Sequence, residues 1–364
     1  MMNNNNYCVI MAGGVGTRFW PISKTAHPKQ FIDIQGMGKT LIMQTYDRFL
    51  KICPKENIYI VTNITYKELI KEQIAGIADE QIICEPSRRN TAPCIAYAAY
   101  KIKKINPEAN MVVAPSDHII LKEDNFTEIV NTGLKISAEK DWLLTLGISP
   151  SRPDTGYGYI QFLQENILPE VKILKKVKTF TEKPALETAI TFLKSGDFVW
   201  NSGIFIWSLK SILNALEHHL PEVDYIFKEG VSIYNTEKEE EFIKKAYNIC
   251  KSISIDYGIM EKADNVYVLR SDFGWSDLGT WGSLYDNSHK DINGNAIVGK
   301  NVLTYDSYNC IVNVPKDKLV VMQGLDDYIV VESDNILLIC RKTDEQQIRN
   351  FVNDVKIEKG EQFI

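Results

Sequence analysis

The feature that most constrains the fold is an alternation of strand-like and helix-like segments over the first part of the chain. Short apolar runs at Tyr7–Met11, Asn57–Thr62 and Met111–Ala114 are typical of buried strands. Segments between them, such as Leu41–Ile52 and Thr91–Ile105, have the apolar spacing of helices. Strands that alternate with helices in this way predict βαβ units and a mixed, mostly parallel sheet. The sequence therefore predicts an α/β fold.

Three loops of this predicted sheet are candidates for ligand binding. In open α/β sheets, ligands bind beyond the carboxyl ends of the strands. The loops that follow the predicted strands at Met11, Cys84 and Ala114 are therefore expected to face one crevice.

The loop after the first strand is rich in glycine and has two cations close by. It reads AGGVGTR and ends in the first cation, Arg18. The second cation, Lys29, follows a short distance further along the chain. Glycine lets backbone N–H groups approach oxyanions, and cations offset phosphate charge, so this segment predicts a phosphate site. It is neither a Walker A loop nor the dinucleotide fingerprint, because Phe19 replaces the third glycine of GxGxxG. A tight turn beside solvated surface charges is the alternative.

Length and composition limit the possible classes of protein. A chain of 364 residues is longer than most single domains. Near residue 288 the sequence changes to short strand-like stretches separated by turn residues. We expect a large domain over residues 1–288, and a small β-rich domain over residues 289–364 that ends in a helix near Thr343–Val355.

The net charge of −6 argues against nucleic-acid binding. The seven cysteines form no CxxC pair, which argues against a zinc site. No signal-peptide-like start and no membrane-length apolar run occur, so we expect a soluble, cytoplasmic protein.

Two aspartates are candidate metal ligands. Asp117 directly follows a predicted buried strand, and Asp277 lies in a loop between glycines. Mg²⁺ prefers oxygen ligands and usually takes one or two carboxylates together with substrate phosphates. The alternatives are a helix N-cap for Asp117 and a turn role for Asp277.

Several other polar residues are candidates for ligand binding, with a purely structural role as the alternative. Asn90 and Thr91 precede a helix and suit an N-cap. Glu182 and Lys183 precede a proline; they suit sugar hydroxyls and a sugar phosphate, or alternatively a surface ion pair. Asn201 interrupts an apolar strand, where it needs a hydrogen-bond partner such as a sugar hydroxyl.

Seven blocks, in order, resemble the sugar-nucleotide pyrophosphorylases, which are nucleotidyltransferases. The blocks are AGGVGTRFWPIS with PKQF, Glu85-Pro86 with Arg89–Pro93, Pro115–His118, Gly156–Tyr159, Phe180–Pro184, Trp200–Phe205 and Gly274–Gly279. The segments Trp20-Pro21 and Pro28-Lys29-Gln30-Phe31 resemble those of the mannose-1-phosphate guanylyltransferase (GDP-mannose pyrophosphorylase) branch. The resemblance covers essentially the whole chain.

The resemblance implies a fold, a reaction and a set of site residues. It implies a Rossmann-like nucleotidyltransferase domain of GT-A type and a short left-handed β-helix-like domain, which we expect to mediate self-association as a homodimer. The reaction is transfer of GMP from GTP to mannose 1-phosphate, giving GDP-mannose and diphosphate, with Mg²⁺ held by Asp117 and Asp277. The catalytic residues are Arg18, Lys29, Asp117 and Asp277. The nucleotide-binding residues are Ala12, Gly13, Gly14, Gly16, Thr17, Arg18, Lys29, Asn90, Thr91, Ser116 and Asp117. The sugar-phosphate residues are Gly158, Glu182, Lys183, Asn201 and Asp256.

Two other functions are left open by the sequence. One is a sugar-1-phosphate nucleotidyltransferase that uses a different base or sugar. The other is a catalytically silent, nucleotide-sugar-binding regulatory subunit, which predicts the loss of one of the four catalytic residues; all four are present.

Overall fold

The computed structural model describes residues 3–14 and 16–364, and these residues form two compact units. The first unit contains residues 3–13, Thr45–Ser116 and Ile120–Trp275. The second contains Asp117–Ile119, Ser276–Ile364 and, apart from Val15, Gly14–Gln44. The domain boundary predicted between residues 288 and 289 stays a prediction.

Eleven strands lie between residues 6 and 276 of the described chain. They are β1 (Asn6–Ala12), β2 (Ile58–Asn63), β3 (Ile82–Glu85), β4 (Asn110–Pro115), β5 (Ile119–Ile120), β6 (Leu143–Ile148), β7 (Gly158–Phe162), β8 (Leu174–Glu182), β9 (Phe198–Ser208), β10 (Val266–Ser271) and β11 (Trp275–Ser276). All except β5 and β11 belong to one sheet of the first unit, in the order β3-β2-β1-β4-β9-β6-β10-β8-β7.

The first four strands of this sheet have the predicted parallel arrangement. Strand β1 lies between β2 and β4, and β3 pairs with β2, all in parallel. The order β3-β2-β1-β4 matches the first four strands of the Rossmann order 3-2-1-4-5-6. In β1, Cys8 lies opposite both Ile58 and Val112, so the carboxyl ends of the three central strands are aligned. The alternation of strands and helices in the sequence is therefore confirmed for this half.

The rest of the sheet corrects the expectation that it is mostly parallel. Strand β9 runs antiparallel to β4, β6 and β7, and β8 runs antiparallel to β7 and β10. The pair β6 and β10 is parallel. Because β9 pairs with β7 as well as β6, these five strands close on one another. Parallel neighbours need a crossover connection, whereas β7 and β8 follow each other without a helix and can pair only as a hairpin.

The described helices belong to both units. They are α1 (Leu41–Phe49), α2 (Lys67–Gln73), α3 (Thr91–Ile105), α4 (Glu123–Glu139), α5 (Leu186–Ser195), α6 (Leu209–His219), α7 (Pro221–Lys228), α8 (Glu239–Ile249), α9 (Trp281–Asp286) and α10 (Ile348–Lys359). Helix α3 packs closely because Ala92, Ala96 and Ala99 are fully buried. Within residues 3–14 and 16–364, we find no helix with the length and apolarity that crossing a membrane requires.

The β-rich part of the second unit is β-helix-like. Its strands are β12 (Ala296–Val298), β13 (Asn301–Tyr305), β14 (Ile311–Asn313), β15 (Leu319–Gln323), β16 (Tyr328–Ser333) and β17 (Ile336–Arg341). Successive strands alternate between two faces: β12, β14 and β16 stack in parallel on one, and β13 and β15 on the other. Strand β17 closes the first face antiparallel to β16. The predicted left-handedness stays a prediction.

Helix α10 is fixed to the second unit along its length. Ile348 is fully buried, and Phe351, Val352 and Val355 pack against the same apolar cluster. In the 3₁₀ turns before the helix, the Glu345 carboxylate accepts a hydrogen bond from the Gly282 N–H at 2.7 Å. Beyond the helix, the Trp20 indole N–H donates to the Phe363 carbonyl at 2.8 Å. The predicted C-terminal helix is therefore confirmed, with its α-helical part beginning at Ile348.

Candidate active site

The glycine-rich loop after β1 requires glycine at one position in particular. Gly16 has φ +66°, and a Cβ atom there would lie 2.9 Å from Cγ of Lys29. A side chain on Gly14 would meet nothing within 4 Å, and one on Gly13 would first meet a Glu85 oxygen at 3.9 Å. Gly16 therefore lets the loop pack on Lys29, while Gly13 and Gly14 leave the backbone accessible. Val15, within the same loop, lies outside the described residues.

Lys29 is buried and holds together the segments that carry the two candidate metal ligands. Its ammonium donates to the carbonyl oxygens of Asp277 and Leu278 at 2.9 and 2.7 Å. It also pairs with Oδ2 of Asp117 at 3.1 Å. These three acceptors use the three N–H donors of a lysine. Lys29 thus has a positioning role that the sequence did not reveal.

The four predicted catalytic residues line one cavity of about 240 Å³ in the second unit. The residues around it are Gly16, Thr17, Arg18, Phe19, Lys29, Asp117, His118, Asp277, Gly279 and Arg349. The structure therefore brings together residues that are far apart in the sequence. It also adds Arg349, which no sequence motif indicated.

Arg18 has unused hydrogen-bonding capacity in this cavity. Nη1 makes one long contact of 3.4 Å to the Gly279 carbonyl, and Nε is buried without a hydrogen-bond partner. Burial lowers the pKa of Arg18, and repulsion from Arg349 lowers it further, although Asp277 and Glu345 act in the opposite direction. A partly buried guanidinium whose Nε–H has no acceptor is an arrangement that an anion stabilises.

The donor set of the cavity suits a hard divalent cation. Burial raises the pKa of Asp117, but the nearby Lys29 ammonium and His118 outweigh it, so the pKa lies below its ordinary value and the group is ionised at neutral pH. Within the described residues, no group of three or more His, Cys, Asp or Glu side chains converges on a metal site. Two carboxylates together with phosphate and water oxygens match the needs of Mg²⁺.

The loop that carries Asp277 is both a turn and part of the cavity. Oδ1 of Asp277 accepts from the Gly279 N–H at 2.8 Å, as the alternative interpretation of this residue as a turn former predicted. Leu278 has φ +45°, a conformation that costs a residue with a side chain on the order of 1–3 kcal/mol. The contacts of Lys29 with this loop stabilise the conformation.

The connection between β3 and α3 contains the predicted base-binding pair. Asn90 is the N-cap of α3 and accepts from the Thr91 N–H at 2.9 Å, which confirms the capping alternative. The Thr91 hydroxyl accepts from the Ile255 N–H at 2.9 Å. Asn90 is exposed and has φ +68° and ψ −170°, a region occupied mainly by glycine. Two other nucleotide-binding candidates, Ala12 and Ser116, are buried at the ends of neighbouring parallel strands.

Glu85, at the end of β3, is a candidate that sequence reasoning missed. It is 7% exposed, and the Tyr247 hydroxyl donates to its Oε1 at 2.9 Å. Burial raises the pKa of Glu85 to about 7, while the Tyr247 hydrogen bond and Arg88 act in the opposite direction. Oε2 faces Gly13 of the glycine-rich loop. Perturbed carboxylates of this kind concentrate at functional sites.

The predicted sugar-binding residues form a second polar cluster, in the first unit. Asn201 donates to Oδ1 of Asp256 at 2.7 Å, and Glu182 forms an ion pair with Lys183. Burial raises the pKa of Asp256, and Glu182 raises it further, so these carboxylates are close enough to interact. A Cβ atom on Gly158 would lie 2.5 Å from Oε2 of Glu182.

Asn201 is a polar residue in an apolar strand, where it needs hydrogen-bond partners, and the structure shows these partners. Its oxygen accepts from the Gly203 N–H at 3.1 Å and from the Thr145 hydroxyl at 3.4 Å. The partners of this side chain are thus supplied by the protein, and Asp256 begins a π-helical turn, a feature frequent at functional sites.

Comparison with known families defines the class of protein. Residues 7–294 match the family model described as nucleotidyl transferase, and residues 300–355 match one described as the MannoseP isomerase/GMP-like beta-helix domain. The first match covers more than half of the chain. The chain belongs to the nucleotidyl transferase family.

Individual relatives narrow the similarity to one branch. The chain is 33% identical to a mannose-1-phosphate guanylyltransferase of Escherichia coli, over 96% of this chain and 75% of the relative. It is 34% identical to the alginate biosynthesis protein AlgA of Pseudomonas aeruginosa, over 95% of this chain and 71% of that one. A crystal structure from Thermus thermophilus, described as a mannose-1-phosphate geranyltransferase, superposes with a TM-score of 0.86 at 27% identity, over 97% of this chain and 99% of that one. The branch that the sequence motifs indicated is thereby confirmed.

Proposed function

We propose that the chain transfers GMP from GTP to α-D-mannose 1-phosphate, giving GDP-mannose and diphosphate. The observation that carries this proposal is the cavity in which Arg18, Lys29, Asp117 and Asp277 meet. Membership of the nucleotidyl transferase family and the similarity to mannose-1-phosphate guanylyltransferases support it.

The reaction is an in-line attack by a phosphate oxygen of the sugar on the α-phosphorus of GTP. A phosphate monoester is mostly ionised at neutral pH, so no general base is required. What the protein supplies is alignment of the reactants and compensation of the charge that develops on the leaving diphosphate.

The cavity of the second unit has the groups that a triphosphate needs. Arg18 presents a buried Nε without a partner and compensates charge on the β- and γ-phosphates. Gly14, Gly16 and Thr17 offer backbone amides to the phosphate oxygens. Lys29 adds positive charge, while its hydrogen bonds fix the loop of Asp277. We assign Ala12, Gly13 and Ser116 to the nucleotide as well, because they lie at or directly after the ends of β1 and β4.

Asp117 and Asp277 are the proposed holders of Mg²⁺. Both carboxylates line the same cavity, and the ionised state of Asp117 that its lowered pKa implies is the form that a cation needs. When bound, the ion would neutralise phosphate charge as a Lewis acid. The Lys29 ammonium also pairs with Asp117 and balances part of its charge.

We propose that the β3–α3 connection recognises guanine. Guanine presents two adjacent donors, N1–H and the N2 amino group, and a carboxylate offers two acceptors for such a pair. Glu85 supplies a buried carboxylate at this connection, and Asn90 and Thr91 follow it at the start of α3. Adenine has no matching pair of donors, so this carboxylate favours GTP over ATP.

The polar cluster of the first unit is the proposed mannose 1-phosphate site. Glu182, Asn201 and Asp256 supply acceptors and a donor for sugar hydroxyls, and Lys183 supplies a charge for the phosphate. Gly158 leaves room for Glu182, because a Cβ at this position would displace the carboxylate from its place.

We also propose that the chain is a homodimer in the cytoplasm. The dimer is supported by an exposed apolar face formed by β13 and β15, where Leu303, Leu319 and Val321 are 50–67% exposed. Sedimentation of the full chain distinguishes a dimer from a monomer.

Diphosphate release tests the proposed reaction. The full chain is assayed with GTP, ATP, CTP and UTP against mannose 1-phosphate and other hexose 1-phosphates, with Mg²⁺ present and after chelation. The expected result is release with GTP and mannose 1-phosphate that stops on chelation. Preference for another pair would identify a different sugar-1-phosphate nucleotidyltransferase, and binding of GDP-mannose without turnover would identify a regulatory subunit.

A further inference from the structure

The cavity around Arg18 contains a third cation, contributed by the C-terminal helix. Arg349 lies in the first turn of α10, more than 300 residues after Arg18 in the sequence, and lines the same cavity as Arg18 and Lys29. We infer that Arg349 binds the β- and γ-phosphates of the nucleotide, and with them the diphosphate product. This inference rests on the proposed function and deepens it.

The first support is that the helix fixes the position of this residue. Ile348, directly before Arg349, is fully buried, and Phe351 and Val352 pack in the same apolar cluster. The Glu345 hydrogen bond to the Gly282 N–H anchors the turns just before the helix. The backbone at Arg349 is therefore held in place, and only the side chain has freedom to reach a ligand.

The second support is electrostatic. Arg349 is exposed and, within the described residues, no hydrogen bond or ion pair engages its guanidinium, whereas Lys29 has three acceptors. Arg349 also lowers the pKa of Arg18 by repulsion, so the two guanidinium groups interact directly. Like charges around one cavity are unfavourable until an anion lies between them. An unpaired guanidinium presents a planar fork of donors that matches phosphate oxygens.

The chemical class of the ligand follows from the neighbours of Arg349. Because Arg349 adjoins Arg18, which we assign to the β- and γ-phosphates, its ligands are nucleoside triphosphates and inorganic diphosphate. A nucleoside monophosphate lacks those groups and gains nothing from Arg349. The residue belongs to the region that matches the beta-helix domain model, residues 300–355, so this module takes part in substrate binding.

The experiment compares Arg349→Gln with a control on the same helix. Lys359→Gln removes one exposed positive charge near the end of α10, away from the cavity. Inorganic diphosphate, GTP and GMP are titrated separately into the full-length proteins by calorimetry. We expect Arg349→Gln to weaken binding of diphosphate and GTP roughly tenfold and to leave GMP unchanged. Lys359→Gln is expected to match the wild type for all three.

Kinetics separate this role from a structural one. Arg349→Gln is expected to raise KM for GTP without changing KM for mannose 1-phosphate, and Arg349→Lys to recover part of the loss because it keeps the charge. Equal affinity of wild type and Arg349→Gln for diphosphate and GTP would overturn the inference, as would an equal loss for GMP. If the wild type releases no diphosphate with any substrate pair, the proposed function fails, yet selective weakening of diphosphate binding would still support the phosphate role of Arg349.

Discussion

Replacement of Glu85 by glutamine is expected to stabilise the protein in a pH-dependent way. Burial raises the pKa of Glu85 to about 7 in the folded chain, compared with 4.5 for an ordinary glutamate. Below pH 4.5 the carboxyl is protonated in both states, so the folded state has no penalty. As the pH rises from 4.5 to 7, the unfolded chain loses this proton first, and stability falls. Above pH 7 the loss levels off at about 3 kcal/mol, since one pKa unit corresponds to about 1.4 kcal/mol.

The Glu85→Gln variant removes this penalty and keeps the surrounding contacts. Its amide oxygen still accepts from the Tyr247 hydroxyl, and the side chain has nearly the same volume. The assay is thermal unfolding of wild type and variant at pH 5 and pH 8. We expect nearly equal midpoints at pH 5 and a variant midpoint on the order of 4–6 °C higher at pH 8. Glu128→Gln, an exposed position on α4, serves as the matched control and is expected to leave both midpoints unchanged.

GTP is also expected to change the thermal stability of the wild type in a pH-dependent way. The guanine donors proposed to face Glu85 would compensate its charge, so GTP is expected to raise the midpoint of the wild type more at pH 8 than at pH 5. An equal change of midpoint at both pH values for Glu85→Gln would contradict this prediction, because it would mean that the carboxyl titrates normally in the fold.

Three further substitutions test other parts of the structure. Asp117→Asn is expected to lower Mg²⁺-dependent turnover by about 10²–10³-fold, and near-normal turnover in the diphosphate-release assay would contradict its role. Gly158→Ala places a Cβ 2.5 Å from a Glu182 oxygen, so we expect KM for mannose 1-phosphate to rise roughly tenfold with KM for GTP unchanged; equal changes in both KM values would argue against a sugar site. Lys101→Met leaves the buried Glu239 without its cation, and urea unfolding should show a loss of about 3–5 kcal/mol. A loss below about 1 kcal/mol would show that the pair is not needed, and the double variant with Glu239→Gln is expected to recover part of the stability.

The parallel half of the sheet was predictable because its signals are local. Each strand is a short apolar run, and each helix has its own periodic spacing; α3, for example, spans Thr91–Ile105 as the sequence predicted. The antiparallel half depends on which distant strands pair, and periodicity carries no information about partners. Helix α4 contains Gly133, which weakens the local helical signal, yet a Cβ there would lie 2.6 Å from Ile206, so this glycine serves close packing on the sheet.

The residues of the candidate site that belong to a motif were predictable from the sequence, and the other residues were not. The four catalytic candidates belong to motif blocks, and the structure brings them to one cavity. Glu85 also lies in such a block, but only its burial and raised pKa distinguish it from a surface glutamate. Arg349 has no local signal, because its position in the cavity arises from the packing of α10.

The way α10 completes the cavity around Arg18 has a consequence for synthesis on the ribosome. The first unit is fully encoded by residue 275, whereas Arg349 follows roughly 70 residues later, which corresponds to about 4–15 s of translation. During that interval the chain can fold its central sheet, but Arg18 has neither Gly279 nor Arg349 beside it until the later segments emerge. The nascent protein therefore completes the first unit well before the cavity around Arg18 is complete, and a ligand that needs this cavity cannot guide the folding of the first unit.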